Sequence, residues 1–334
     1  MSIKYEPLAI TKSRQACNFT RKEMELEDLM IAAATALGFV SLCKNLLAFA
    51  RWLHAMFLRK PKNLHDYGSW AVVTGPTDGI GNALAFELAS KGLNLVLVGR
   101  NPNKLEATSS ELRERYGTTI QVKTVIADFA KLSGEEIAAA VTGATEGLDI
   151  GLLVNNAGIA YPYPRYFHEV DQELMESILR VNLNAVVWVT KGVIDGMLKK
   201  KRGAILNIGS ASSVYLSSYP LQTLYASTKT FMAIFSRSIS LEYKEAGIDI
   251  QCQVPLFIAT KMTMLRRRSM LVPSPEMFSG ASVRWIGHER QCNPYWLHAV
   301  QGFVLHAIDA FTVWYGQRYL KWMREEGLKD DGIL

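Results

Sequence analysis

Beyond Pro61, short apolar runs alternate with longer stretches in which apolar side chains recur at helical spacing. The runs at 70–74, 93–99, 120–126, 150–154, 203–208 and 248–253 have the length of strands, with a helical stretch between each and the next. Such a strand–helix–strand rhythm predicts an α/β fold class: a doubly wound parallel sheet covered on both faces by right-handed crossovers. Upstream the pattern differs. Residues 1–28 carry five basic and five acidic side chains and no apolar periodicity, which predicts a mobile tail. Leu29 to Cys43 is free of charge, and apolar character resumes after Lys44-Asn45 at Leu46 to Ala50. Residues 29–50 as one helix would measure about 33 Å, enough to cross a hydrocarbon core of about 30 Å.

Two membrane arrangements fit residues 29–58. One is a single span in which Lys44 snorkels outward along its stem. The other is an interfacial helix with Lys44 and Arg51 on a common face and Leu, Phe and Trp opposite. Arg51, Arg59, Lys60 and Lys62 follow the apolar stretch, whereas the tail before it carries no net charge. This bias sets the following domain on the cytosolic side. The expected organisation is therefore a tail (1–28), a membrane anchor (29–58), a nucleotide-binding domain (66–290) and a C-terminal amphipathic extension (291–334).

Composition narrows the possibilities. The 334 residues are 49% hydrophobic with a net charge of +6, enough apolar material for a packed core. Basic clusters occur at Lys199 to Arg202 and at Arg266 to Arg268, but no basic helix, zinc spacing or aromatic RNA-binding motif accompanies them, and nucleic acid is not an expected partner. Cys17, Cys43, Cys252 and Cys292 stand far apart, so neither a metal site nor a redox pair is expected.

The first strand runs directly into Thr74-Gly-Pro-Thr-Asp-Gly-Ile-Gly81. Gly75 permits a tight turn, while Gly79 and Gly81 let a pyrophosphate approach the backbone. Thr77, Asp78 and Ile80 fill the turn, and a helix N-terminus offers unpaired N–H groups. A glycine turn can also serve as a plain connector; its place between strand and helix favours a Rossmann-type nucleotide site. The second strand ends in Gly99-Arg100, where an acidic residue would hold the ribose 2′-hydroxyl of NAD. Arg100, assisted by Lys104, suits the 2′-phosphate of NADPH instead. Asp128-Phe129 ends the third strand, where the aspartate either flanks an adenine or caps a turn. Asn155, Asn156, Ala157 and Gly158 end the fourth, where small residues let a cofactor lie across the sheet edge.

With 13 tyrosines in the chain, a Tyr-x-x-x-Lys pair is expected by chance about once, so context must decide. Tyr225 and Lys229 open an amphipathic helix through Glu242 and project from one face a turn apart. An adjacent ammonium favours the phenolate, so the tyrosine pKa is expected to fall, with Tyr225 as general acid. Lys229 would also hold the nicotinamide ribose.

The glycine turn, the Asn155 to Gly158 segment, Asn182, the serines after Asn207 and the Tyr225/Lys229 pair resemble, in order, the short-chain dehydrogenase/reductase family over about residues 66–262. Tyr161 to Val170, Gln251 to Pro255 and Ala259 to Met262 further resemble plant membrane-bound very-long-chain 3-oxoacyl-CoA reductases. That resemblance implies reduction of a 3-oxoacyl-CoA with NADPH in fatty-acid elongation at the endoplasmic reticulum, elongase partners and a helix-mediated homodimer. It also implies that Asn182 holds a water in a relay toward Lys229 and that Thr260 reaches the nicotinamide carboxamide. For the serine gripping the substrate carbonyl, Ser212 fits the family spacing to Tyr225 and Ser210 fits the strand register; register favours Ser210. Leu256 stands where the family usually has glycine. Met262, Met264, Leu265 and Met270 to Val272 are candidates for a substrate lid, or for a cover of the sheet. Arg266 to Arg268 would meet CoA phosphates or lipid headgroups, or water alone. Trp296 to Tyr315 suits a membrane-touching or core-packed helix. A steroid or other hydrophobic ketone is the alternative substrate, and a nonenzymatic scaffold a third reading against which Asn182, Tyr225 and Lys229 argue.

Overall fold

The computed structural model describes the backbone of residues 8–263, 265 and 267–330. The chain divides into two compact units, residues 1–59 and 60–334. In the first, helix α1 runs from Leu8 to Leu53 and continues as a π-helical turn, His54–Leu58. The helix therefore takes in most of the segment expected to be a mobile tail. Glu27–Leu58 is long and apolar enough to cross a membrane, and its side chains from Leu29 through Ala50 are exposed.

The second unit is built on β1 (Trp70–Thr74), β2 (Asn94–Gly99), β3 (Val122–Ile126), β4 (Ile150–Asn155), β5 (Gly203–Ile208), β6 (Ile248–Gln253) and β7 (Gln291–Cys292). All neighbours pair in parallel, in the order β3-β2-β1-β4-β5-β6-β7. The order reverses between β1 and β4, which opens a crevice at the strands' C-terminal ends. The six expected strands agree with the structure to within one or two residues. β7 was not foreseen, because two residues leave no periodicity to read.

Side-chain alternation divides the core between the two faces of the sheet. On one face Ala71 and Val73 pack with Leu84 and Leu88 of α2 (Gly79–Ser90), Leu105 and Leu112 of α3 (Pro102–Tyr116), and Val283 of α8 (Pro275–Trp285). On the other, Trp70 and Val72 pack with Ile137 of α4 (Gly134–Thr145), Val189 and Val193 of α6 (Ala185–Lys200), and Ile239 of α7 (Thr223–Glu242). A short α5 (Gln172–Leu179) enters α6 through a π-helical turn at Arg180–Asn184. The chain continues into α9 (Trp296–Ala307) and α10 (Asp309–Asp330). The nearly continuous apolar runs of β1, β2 and β5 follow from this double cover, because a strand buried on both faces has no side chain to give to water.

Candidate active site

A cleft of about 460 Å³ opens over the C-terminal ends of β1, β2, β3 and β4. Its lining includes Gly75, Thr77, Asp78, Gly79, Ile80, Arg100, Lys104, Asp128, Ala157 and Gly158, together with Ser210, Tyr225, Lys229 and Thr260. Of the residues expected in the site, Gly81, Asn155 and Asn182 lie outside this lining and act from behind it.

The glycine turn is built around left-handed backbone at Gly75 (φ 64°) and Gly79 (φ 52°), conformations that a side chain disfavours. A Cβ on Gly81 would collide with the Asn156 side chain and the Gly75 carbonyl. Asp78 caps α2, its Oδ1 accepting from the Gly79 N–H at 2.9 Å, and Lys261 Nζ reaches its Oδ2 at 2.7 Å. Lys261 thereby joins the segment after β6 to the glycine turn, a long-range contact that no local motif announces. Asn156 Nδ2 donates to the Thr74 and Gly75 carbonyls at 3.1 Å, and the Asn156 and Ala157 N–H groups both donate to Thr74 Oγ1 at 3.0 Å. The ends of β1 and β4 are thus tied into one floor. Behind it, Asn155 Nδ2 donates to Thr190 Oγ1 and Asn207 Oδ1, fixing β4 to α6 and β5. At the other end, Asn101 caps α3 through Lys104 N–H at 3.0 Å, and Arg100 and Lys104 stand exposed at the edge of the cleft. Asp128 also takes the capping role weighed for it, accepting from Ala130 N–H while facing the cleft.

Tyr225 and Lys229 point from α7 into the cleft, with Lys229 Nζ 5.8 Å from the centre of the phenol ring. Lys229 Nζ donates to the Ile208 carbonyl at 2.8 Å, and burial depresses its pKa to about 8. The expectation of a lowered tyrosine pKa is overturned. Burial is the largest influence on Tyr225 and raises its pKa, while a hydrogen bond with Ser210 acts in the opposite direction. Ser210 Oγ also accepts from Ser212 Oγ at 2.9 Å and Ser212 N–H at 3.3 Å. Of the two serines, Ser210 therefore meets the phenol and Ser212 supports it from the side. Asn182 is fully buried in the π-helical turn, its Nδ2 donating to the Ile159 carbonyl and Thr228 Oγ1, its Oδ1 accepting from Ile159 N–H. It pins the end of β4 to α7 one residue from Lys229, and both Asn182 Oδ1 and Lys229 Nζ lie against Gly158. An amide oxygen has two lone pairs, so one remains beyond the Ile159 bond. Thr260 packs over Gly79, and the Leu256 N–H, at the position usually glycine, donates to His298 Nδ1 of α9 at 3.3 Å.

A second chamber of about 160 Å³ adjoins the cleft and shares Ser210, Tyr225, Pro255, Leu256, Met262 and Thr263 with it. Its far wall is apolar: Leu216, Phe257, Leu305 of α9, and Leu320 and Met323 of α10. Sequence reasoning missed this wall, and α10 is brought to it by long-range contacts. Arg324 forms an ion pair with Glu169, its Nε donating at 3.3 Å, and Gly327 lies against the Tyr163 ring. The Leu221 carbonyl accepts from Arg165 N–H at 2.9 Å, and Leu221 holds a left-handed backbone (φ 62°), strain located just before α7. Met264 of the expected lid and Arg266 of the arginine run fall outside the described residues, while Arg267 and Arg268 are exposed.

A Rossmann sheet with a glycine-turn cleft that ends on a serine, a tyrosine and a lysine defines a nicotinamide-dependent oxidoreductase. The short chain dehydrogenase family matches residues 69–270. The chain belongs to that family. It is 44% identical over 274 residues to an Arabidopsis thaliana very-long-chain 3-oxoacyl-CoA reductase-like protein, covering 80% of this chain and 86% of the relative. It is 38% identical over 246 residues to the very-long-chain 3-oxoacyl-CoA reductase of Homo sapiens, covering 73% and 77%. A solved 7β-hydroxysteroid dehydrogenase shares the fold with a TM-score of 0.66 at 24% identity, covering 78% of this chain and 99% of that one.

Proposed function

We propose that the protein reduces the ketone of a long-chain 3-oxoacyl-CoA to the 3-hydroxyacyl-CoA, with NADPH as the reductant. The observation that carries this reading is that Ser210 and Tyr225 belong to both cavities, so their hydroxyls meet where a dinucleotide cleft opens into an apolar chamber. NADPH supplies a hydride to the carbonyl carbon when bound. Ser210 Oγ hydrogen-bonds the carbonyl oxygen. Tyr225, its pKa raised, is a protonated phenol at neutral pH and donates its proton to that oxygen as negative charge develops. Lys229 then stabilises the phenolate and holds the ribose hydroxyls. The spare lone pair of Asn182 Oδ1 serves a water relay that reprotonates the phenol.

The residues fit the cofactor on the protein's own geometry: two left-handed glycines, a third that admits no Cβ, and a capped helix N-terminus. NADPH is favoured over NADH by Arg100 and Lys104 at the cleft edge and by the absence of a carboxylate at the end of β2. The thioester substrate is supported by the names of the relatives and by the apolar wall. The Glu27–Leu58 helix supports membrane attachment, for which the endoplasmic reticulum with the catalytic unit cytosolic is the setting we favour. A helix-mediated homodimer and elongase partners belong to the same reading.

The test offers membrane-reconstituted protein 3-oxoacyl-CoAs of graded length and a set of steroid ketones, following NADPH consumption. Faster turnover of steroid ketones would overturn the substrate assignment. Tyr225→Phe should abolish reduction of every ketone while NADPH still binds; unchanged turnover would end the role given to Tyr225.

A further inference from the structure

The outward face of α9 has the wrong chemistry for a surface that meets water. Val300, Phe303, Val304 and Ala307 form one stripe of the helix, and all four are exposed, Phe303 to 76%. The opposite stripe already has its partners. His298 is fully buried, Gly302 lies against the Tyr215 ring, and Leu305 lines the substrate chamber. An amphipathic surface helix would be polar where α9 carries valine and phenylalanine. Beside the stripe, Met270 and Leu271 are 68% and 56% exposed. They are held to α9 through their carbonyls, by Gln301 Nε2 at 3.2 Å from Leu271 O and by Tyr295 Oη at 2.9 Å from Met270 O. Arg267 and Arg268, both exposed, precede them across a single serine, Ser269.

We propose that α9 and the Met270-Leu271 turn rest on an anionic lipid surface, with Phe303 and Val304 at the acyl boundary and Arg267 and Arg268 on headgroup phosphates. The charge pattern selects the occupant: an apolar stripe beside adjacent arginines matches a bilayer whose phosphates ring a hydrocarbon interior. A soluble partner's interface carries about one hydrogen bond per 100–200 Å². Positions 300, 303 and 304 offer no polar side chain for one. This contact is separate from the apolar helix of the first unit, but it rests on the reading that the chain works at a membrane. Because α9 meets lipid on one side and lines the chamber on the other, a lipid-dissolved ketone would enter across a single helix.

The test uses the full chain in vesicles of phosphatidylcholine and phosphatidylserine. Cys17 and Cys43 are replaced by serine, and a polarity-sensitive dye is attached at Val304→Cys. The dye should brighten, be quenched by acyl-brominated lipid and be shielded from aqueous iodide. A dye at Glu114→Cys, exposed on α3, should behave as in water. Phe303→Asp should reduce the docked-to-undocked ratio roughly tenfold or more, while turnover of a water-soluble ketone persists. If the protein sediments with vesicles but the Val304 dye stays aqueous, the proposal is overturned and anchoring by the first unit stands. Shielding from iodide without quenching by brominated lipid also overturns it, since a protein surface then covers the stripe. Failure to sediment with vesicles at all would overturn both the proposal and the membrane reading.

Discussion

Replacing Arg100 with alanine should convert a cofactor preference into near-indifference. Arg100 and Lys104 are the cations that line the cleft where β2 ends, and Asn101 between them is committed to capping α3. A charge-assisted hydrogen bond contributes about 1.5–3 kcal/mol. Both side chains are exposed, so solvent screening argues for the lower part of that range. The expected loss for Arg100→Ala is therefore about 1.5–2 kcal/mol, roughly 10- to 30-fold in NADPH affinity. NADH, which has a hydroxyl where NADPH has a phosphate, should lose less than about twofold, because none of this energy depends on that hydroxyl. Dissociation constants of both nucleotides, measured by fluorescence titration at two salt concentrations, give the answer. The NADPH loss should shrink as salt rises. Equal losses for the two nucleotides would show that Arg100 supports the β2 end rather than reading the phosphate.

Reduction should weaken as pH rises through about 8. Below that value Lys229 is cationic and stabilises the phenolate left after proton donation; above it the charge is lost, and kcat/KM should decline with an inflection near 8. A profile flat to pH 10 would remove Lys229 from the proton step. Gly81→Ala must displace both the Asn156 side chain and the Gly75 carbonyl, an overpacking that costs about 1–3 kcal/mol; a lowered denaturant midpoint together with lost NADPH binding is expected. Ser210→Ala should cut kcat at least tenfold, because Ser210 meets the phenol, and Ser212→Ala should cost less; the reverse order in steady-state kinetics would exchange their roles.

The sheet was legible because its signal is local and repeated. Six apolar runs separated by helical stretches fix a parallel, doubly covered sheet, since a buried strand cannot alternate and a parallel pair needs a crossover. The cofactor half of the site was read for the same reason: the glycine turn, Arg100 and Asn155 to Gly158 each sit directly after a strand. The adjoining chamber was not. Its far wall is assembled from Leu216, Leu305, Leu320 and Met323, which no periodicity links, and it is fastened by Arg324 to Glu169, 155 positions apart. Leu221 carries a left-handed backbone although leucine gives no hint of one.

The sign of the tyrosine shift shows where spacing misleads. Four residues on a helix bring an ammonium near a phenol, and proximity alone argues for a lowered pKa. Magnitude depends on what else surrounds the pair. The cleft that brings Tyr225 and Lys229 together also desolvates both, and removing water penalises each group's charged form: the phenolate and the ammonium. The lysine, 5.8 Å from the ring centre, is itself driven down to about 8 by the same burial, and its charge does not offset the desolvation of the phenol. Both shifts therefore follow from one cause, and together they suit reduction: a tyrosine that still holds its proton when the ketone arrives, beside a lysine whose charge gains value only when that proton leaves.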